Sequence, residues 1–343
     1  MRTPALPSSL ALPCAMFTLL TACADPAGDA AGSGDDTAAD DTGGEGRACS
    51  PPDADPDPTA DGHPTDGWRW QRRGPLFDDD TLFGGSPAGY NEGALSPTLA
   101  DTGDGLHLLW MVKTGAGTTL WASGSDDGEA WSAPEPITGL EGESYPSLLH
   151  DGAGFQLWVG SGSIGHASSS DGVAFTMGET VLRAGETGFD AVSLLYPHAV
   201  RTDDGISLWY AGFDGARFAI GEADCDATAT TCTGAGPELE RDPEGWDNAA
   251  VAMPEVVHHA GQIHTWYGGY DTVIADPGPW RVGRLEGGER RISLPLTASG
   301  AEAWSTRDPA VVPSRDGWLM VYVGMGDDGA YRLMSATSDV CPD

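Results

Sequence analysis

The sequence has almost no lysine: Lys113 stands alone, and arginine supplies the rest of the 17 basic residues set against 52 acidic ones. The resulting net charge of −35 repels phosphate backbones and anionic headgroups, which argues against nucleic acid as a partner. Helical periodicity is also missing, since no long segment repeats apolar residues at three- to four-residue spacing. The one apolar run, Leu10 to Leu20, is too short for a permanent membrane-spanning helix. Glycine is abundant instead, at 49 residues, alongside 12 tryptophans and recurring Asp-Gly pairs. This pattern predicts short strands joined by tight turns, an all-β class, and single all-β domains of such length are common.

Arg2 followed by the apolar run has the layout of an export signal, and Leu20-Thr21-Ala22-Cys23 resembles the lipobox of bacterial lipoproteins. That resemblance implies a signal peptide over 1–22, a lipidated Cys23, and a place in the bacterial cell envelope, at the outer membrane or cell surface, with the lipid as the only membrane contact. Residues 23–66 hold hardly a large apolar side chain, so they read as an acidic disordered linker, and the folded part is expected over 67–343. Within the linker, Asp53, Asp55, Asp57 and Asp61 alternate like the opening of a calcium loop. Pro64 stands where the closing glutamate belongs, and no metal or cofactor is expected.

Cys14 leaves with the signal, and four further cysteines remain beyond Cys23 in an oxidising compartment. The spacing makes Cys225 to Cys232 a local hairpin staple and leaves Cys49 to Cys341, which ties the start of the folded part to its end. No histidine stands beside them at zinc-site spacing.

One unit recurs five times: a proline, an Asp-Gly-type turn, then an aromatic in a short apolar strand. The copies are Pro97 with Trp110, Pro146 with Trp158, Pro197 with Trp209-Tyr210, Pro254 with Trp266-Tyr267, and Pro309 with Tyr322. A third strand runs into Ser125-x-Asp127-Gly128 and Ser169-x-Asp171-Gly172 turns, and a fourth carries Pro136-Ile137, Val181-Leu182, Leu239 or Leu294. Four strands per repeat predict a five-bladed β-propeller with four-stranded blades. The last repeat ends before its fourth strand, and Trp68 to Phe77 has the pattern to supply it, so that an N-terminal strand closes the ring. The repeated tryptophans read as packing between blades.

The loops before each proline would cover one mouth of the central channel. They carry aromatics beside Asp or Asn: Tyr90-Asn91-Glu92, Tyr145, Phe189-Asp190, Trp246-Asp247 and Trp304 to Asp308; Tyr196, His198 and Glu255 lie next to the prolines. Aromatics with carboxylates suit a sugar, the rings meeting C–H faces and the carboxylates meeting hydroxyls or moving protons.

These elements, with Leu-Trp-Tyr-x-Gly and Arg307-Asp308-Pro309, resemble the five-bladed propellers of the arabinanase, levansucrase and invertase superfamily, glycoside hydrolase families 32, 43, 68 and 130, over about residues 67 to 341. The resemblance implies a glycoside hydrolase acting by paired carboxylates at the mouth, with Glu255 as acid and Asp308 as stabilising carboxylate; Asp190, or Asp247 in its place, could supply the third catalytic group. Asn91, Glu92, Tyr145, Tyr196, His198, Trp246, Asp247 and Arg307 would hold the substrate. The first blade, however, offers Ser96-Pro97 where an active enzyme of this type presents an Asp, and the Arg-Asp-Pro sits in the last repeat instead of an early one. A non-catalytic carbohydrate or cell-surface binding propeller is therefore the alternative, with a monomer expected in either case.

Overall fold

A computed structural model describes residues 49–341 apart from 55, 60, 61, 80, 82–91, 227, 230 and 272–278. The signal, Cys23, the linker up to residue 48 and Asn91 lie outside the described residues. Among the described residues the chain forms twenty strands. Consecutive strands pair antiparallel in runs of four. These are β2 (Gly93–Asp101), β3 (Leu106–Thr114), β4 (Gly117–Ser125) and β5 (Glu135–Pro136), then β6 (Pro146–His150), β7 (Phe155–Gly160), β8 (Ile164–Ser169) and β9 (Thr176–Leu182). Next come β10 (Ser193–Arg201), β11 (Ile206–Phe213), β12 (Phe218–Cys225) and β13 (Cys232–Leu239), followed by β14 (Ala250–His259), β15 (Gln262–Tyr270), β16 (Arg281–Glu286) and β17 (Glu289–Leu294). The last run has three strands, β18 (Ser305–Ser314), β19 (Gly317–Met325) and β20 (Tyr331–Ser338), and β1 (Gln71–Pro75) pairs antiparallel with β20. One parallel bridge, Gly93 to Tyr331, links β2 to β20.

The turns explain why strands form where they do. Asp127 Oδ1 accepts the N–H groups of Glu129 (2.8 Å) and Ala130 (3.0 Å), and Ser125 Oγ accepts that of Gly128 at 2.8 Å. Asp171 and Ser169 repeat the arrangement one unit later, and the backbone N–H groups of Ala174 and Val173 pull the Asp171 carboxyl down to about 2. The S-x-D-G motif is therefore a turn lock, its side chains replacing ladder partners that the turn cannot offer. Trp110, Trp158, Trp266 and Trp318 are fully buried, while Trp209 is half-buried against the cluster around Tyr267. Each aromatic removes about 150–250 Å² from water, on the order of 4–6 kcal/mol of gross stabilisation at about 25 cal/mol per Å².

The spacer expected through Asp66 stops earlier than its composition suggests. Ser50 forms a parallel bridge with Val340, Thr65 another with Ile292, and Cys49 is bonded to Cys341. Asp66 is buried, accepting the Trp68 N–H at 3.0 Å and the Ser293 hydroxyl, and burial pushes its carboxyl up to about 6. Trp68 lies beneath the Arg284 guanidinium, 4.2 Å from its ring centre. This arm has few apolar groups of its own, so the disulfide and two short bridges supply what its sequence lacks. Cys225 and Cys232 are the second disulfide, joining β12 to β13.

Candidate functional site

Four inner strands carry the same irregularity. The ladder register shifts between Leu95 and Thr98, Leu195 and His198, Ala252 and Glu255, and Arg307 and Ala310, each time across the residue pair that ends in the repeated proline. Proline has no N–H to give to a ladder and is tolerated only on an edge strand or in a bulge. The residue before it turns left-handed in all five repeats: Ser96 (φ 49°), Tyr145 (φ 53°), Tyr196 (φ 49°), Met253 (φ 59°) and Asp308 (φ 49°). Non-glycine residues in this region are uncommon, and they cluster where a side chain must be aimed. Here the five left-handed residues and their prolines bring Ser96-Pro97-Thr98, Tyr145-Pro146-Ser147, Tyr196-Pro197-His198, Met253-Pro254-Glu255 and Asp308-Pro309 around one cavity.

Hydrogen bonds run from repeat to repeat around this cavity. The residue after each proline reaches the backbone two residues after the next proline. Thr98 Oγ1 accepts from Leu148 N at 2.9 Å, and Ser147 Oγ accepts from Ala199 N at 2.9 Å. His198 Nε2 donates to Val256 O at 2.8 Å, and Glu255 Oε1 accepts from Val311 N at 2.8 Å. The fifth repeat has Ala310 at the corresponding position, which has no group to offer. Asp308, on the other side of the proline, takes over: its Oδ2 accepts from Ser96 N at 2.9 Å and from Ser96 Oγ at 3.2 Å. The five contacts make a closed relay of side-chain-to-backbone latches.

The two carboxylates of the relay are held on both sides. Glu255 Oε2 lies 2.8 Å from His198 Nδ1, and Asp308 Oδ1 accepts Arg307 Nε at 3.1 Å. Arg307 continues to Tyr196 Oη through Nη2 at 2.8 Å. Each of the four carboxylate oxygens thus already accepts a hydrogen bond, and both groups are buried, Glu255 at 7% and Asp308 at 4% exposure. Val256 O can only accept, so His198 carries a proton on Nε2, and its Nδ1 faces a carboxylate. The imidazolium is the form this geometry selects. Burial opposes that charge, yet Glu255 and the Val256 carbonyl raise the His198 pKa above its ordinary value. The Arg307 guanidinium is likewise kept charged, its pKa raised by Asp308 against the effect of burial. A small cavity lies inside the relay.

A pH dependence follows. A group whose folded pKa is raised stabilises the fold fully below its ordinary value, about 6.5 for histidine, and loses that contribution as pH rises through the folded value. The melting-temperature advantage of the wild type over His198→Gln is therefore expected to shrink between pH 6 and pH 9; an advantage constant across that range would contradict the imidazolium latch.

Of the site residues expected from sequence, Tyr145, Tyr196, His198, Glu255 and Asp308 line the ring cavity and Arg307 supports it. Asp190, Trp246 and Asp247 do not line it. Asp190 Oδ2 accepts the Tyr210 hydroxyl at 3.1 Å, and Asp247 Oδ2 accepts the Tyr267 hydroxyl at 3.0 Å and Arg290 Nη1 at 2.9 Å. Burial raises the Asp247 carboxyl in spite of Arg290. Trp246 is 2% exposed, stacked on Tyr267 and lying over Gly269 and Gly283, where a Cβ would come within 2.7 Å and 2.3 Å of its ring. Phe189 lies over Gly212 and Gly221 in the same way. Glu92 contributes its carbonyl to Tyr331 N at 2.8 Å and does not line the cavity.

Sequence reasoning passed over a third such pair, Glu302 with the Tyr322 hydroxyl, to which Arg72 Nε adds a contact at 3.0 Å. A signal for the set was present. An acid precedes the inner strand where the second strand carries Tyr210, Tyr267 or Tyr322, and the first two repeats have Met111 and Val159 at those places.

No family model matches the sequence, and no curated protein is significantly similar to it. Solved structures do match. A thermostable family-43 glycoside hydrolase superposes with a TM-score of 0.54 at 16% identity, covering 74% of this chain and 90% of the other. The catalytic domain of a Coprinopsis cinerea GH62 α-L-arabinofuranosidase gives 0.57 at 11% identity over 79% and 96% of the two chains. The native Bacillus subtilis arabinanase Arb43A gives 0.52 at 16% identity over 72% and 95%. The chain accordingly has the fold of the propeller glycoside hydrolases.

Proposed function

We propose that the protein is a five-bladed, glycosidase-like propeller, closed by β1 as the fourth strand of its last blade, that binds carbohydrate at the mouth of the ring without cleaving it. The fold it shares with sugar-cleaving propellers supplies the ligand class. The engagement of both cavity carboxylates carries the chemistry. A hydrolase needs one carboxyl free to give a proton to the leaving oxygen and a second free to attack or to activate water. Glu255 and Asp308 instead hold neighbouring repeats together. Glycoside hydrolysis is the second reading, favoured by the presence of two carboxylates on one cavity, Glu255 as acid and Asp308 as stabiliser. Export and anchoring through Cys23 belong to the same proposal and would hold a monomeric propeller at the cell envelope. The test is a screen of the purified protein against plant and microbial glycans, scored for binding and for released sugar. Binding without release is the expected result, and release above the uncatalysed background would overturn the non-catalytic reading.

A further inference from the structure

The latch ring forms a floor, and what stands on that floor is aromatic. Tyr145 and Tyr196 come from neighbouring repeats, each immediately before its ring proline and each in the left-handed conformation, which aims both side chains at the same mouth. Their ring centres are 4.3 Å apart with planes inclined by 51°, and both are half-buried, each keeping one part toward solvent. Met253 replaces an aromatic at the corresponding place in the fourth repeat, and Ser96 in the first, so the shelf occupies one side of the mouth.

Tyr196 is fixed as well as placed. Its Oη accepts from Arg307 Nη2 at 2.8 Å, and Arg307 is itself anchored on Asp308. With the oxygen serving as acceptor, the phenolic proton remains to be given away, and no described residue accepts it. Burial holds the phenol well above its ordinary pKa, so that the proton stays in place at physiological pH. A phenol polarised by a guanidinium and lacking a protein acceptor is a donor prepared for a ligand oxygen.

The charges around the shelf balance. Glu255 and Asp308 are matched by His198 and Arg307, which leaves no net charge to attract a carboxylate or an amine, while the net −35 of the chain repels anions at longer range.

We propose that Tyr145 and Tyr196 form a stacking shelf for a single neutral sugar ring, the Tyr196 Oη–H donating to one of its hydroxyls, so that the site takes neutral pentose or hexose units and rejects uronates. This inference rests on the carbohydrate reading above. Its test compares wild type, Tyr145→Ala and Tyr196→Phe, as the full exported chain, by saturation-transfer NMR and titration with arabino-, xylo- and fructo-oligosaccharides and with oligogalacturonate. Tyr145 packs against the core and Tyr196 Oη accepts from buried Arg307, so both variants should melt below wild type, and binding is compared at a temperature where all three proteins are folded. Wild type should bind at least one neutral series and not oligogalacturonate. Tyr145→Ala should weaken that binding about tenfold or more, and Tyr196→Phe should weaken it by a comparable factor through the lost donor. If wild type binds a neutral sugar and both variants bind it within twofold, or if oligogalacturonate is preferred, the shelf is wrong while the carbohydrate reading stands. If wild type binds none of the probes, the carbohydrate reading fails and takes the shelf with it.

Discussion

Serine at both Cys49 and Cys341 is expected to lower the unfolding free energy by about 2–5 kcal/mol, a fall in melting temperature of roughly 3–8 °C for a domain of this size. The bond spans 292 residues of sequence, so its loss returns a very large loop to the unfolded ensemble, where the cross-link had restricted it. In the folded state the same bond joins the first described residue to the last. The Ser50–Val340 bridge, the Ser338 hydroxyl on Trp68 O and the pairing of β1 with β20 lie beside it. These contacts hold an arm with little apolar surface, and they lose their covalent support together. Serine at Cys225 and Cys232, separated by seven residues within one hairpin, is the control and should cost less. Thermal unfolding followed by circular dichroism under oxidising conditions checks both. Unfolding of the Cys49/Cys341 variant at the wild-type temperature would show that the seam does not depend on the bond.

Asp308→Ala is expected to cost about 3–5 kcal/mol, the range for removing one partner of a buried ion pair. Three donors lose their acceptor at once: Ser96 N, Ser96 Oγ and Arg307 Nε. Arg307 is 8% exposed, so its charge would remain in the interior without a counterion, and the last repeat would lose its latch to the first. Asp308→Asn should fall between Ala and wild type. Its amide can accept from Ser96 or from Arg307 but presents N–H to the other. The measurement is chemical unfolding of the three proteins at one pH. Equal stability of Asp308→Ala and wild type would remove Asp308 from the closure of the ring.

Much of the fold was legible because its punctuation has local causes. Four of the five prolines mark bulges, the Asp-Gly and S-x-D-G motifs lock turns through their own side chains, and the Leu-Trp-Tyr-x-Gly element records an aromatic lying over glycine. The disulfide pairing was legible for the same reason, since Cys225 and Cys232 flank one turn and leave only one other pair. The ring was legible in part. His198, Glu255 and Asp308 stand beside the repeated prolines, yet whether a carboxylate there is free or committed depends on the backbone of the neighbouring repeat, more than fifty residues away for Glu255 and Val311. Phe189-Asp190 and Trp246-Asp247 look like sugar contacts by residue type. Their partners, Tyr210 and Tyr267, stand twenty residues downstream and become neighbours only when the hairpin folds.

Glu255→Gln separates a latch from an acid most directly. Glutamine preserves the shape and can accept the Val311 N–H, but it cannot deliver a proton and cannot match the His198 charge. In a hydrolase the substitution removes about two to four orders of magnitude in turnover while sugar binding persists. A structural Glu255 predicts that wild type and Glu255→Gln release no sugar from any glycan they bind, and that the variant melts at a lower temperature than wild type. Release of sugar by wild type, reduced at least a hundredfold in Glu255→Gln at unchanged melting temperature, would contradict it and make Glu255 the acid of a working enzyme.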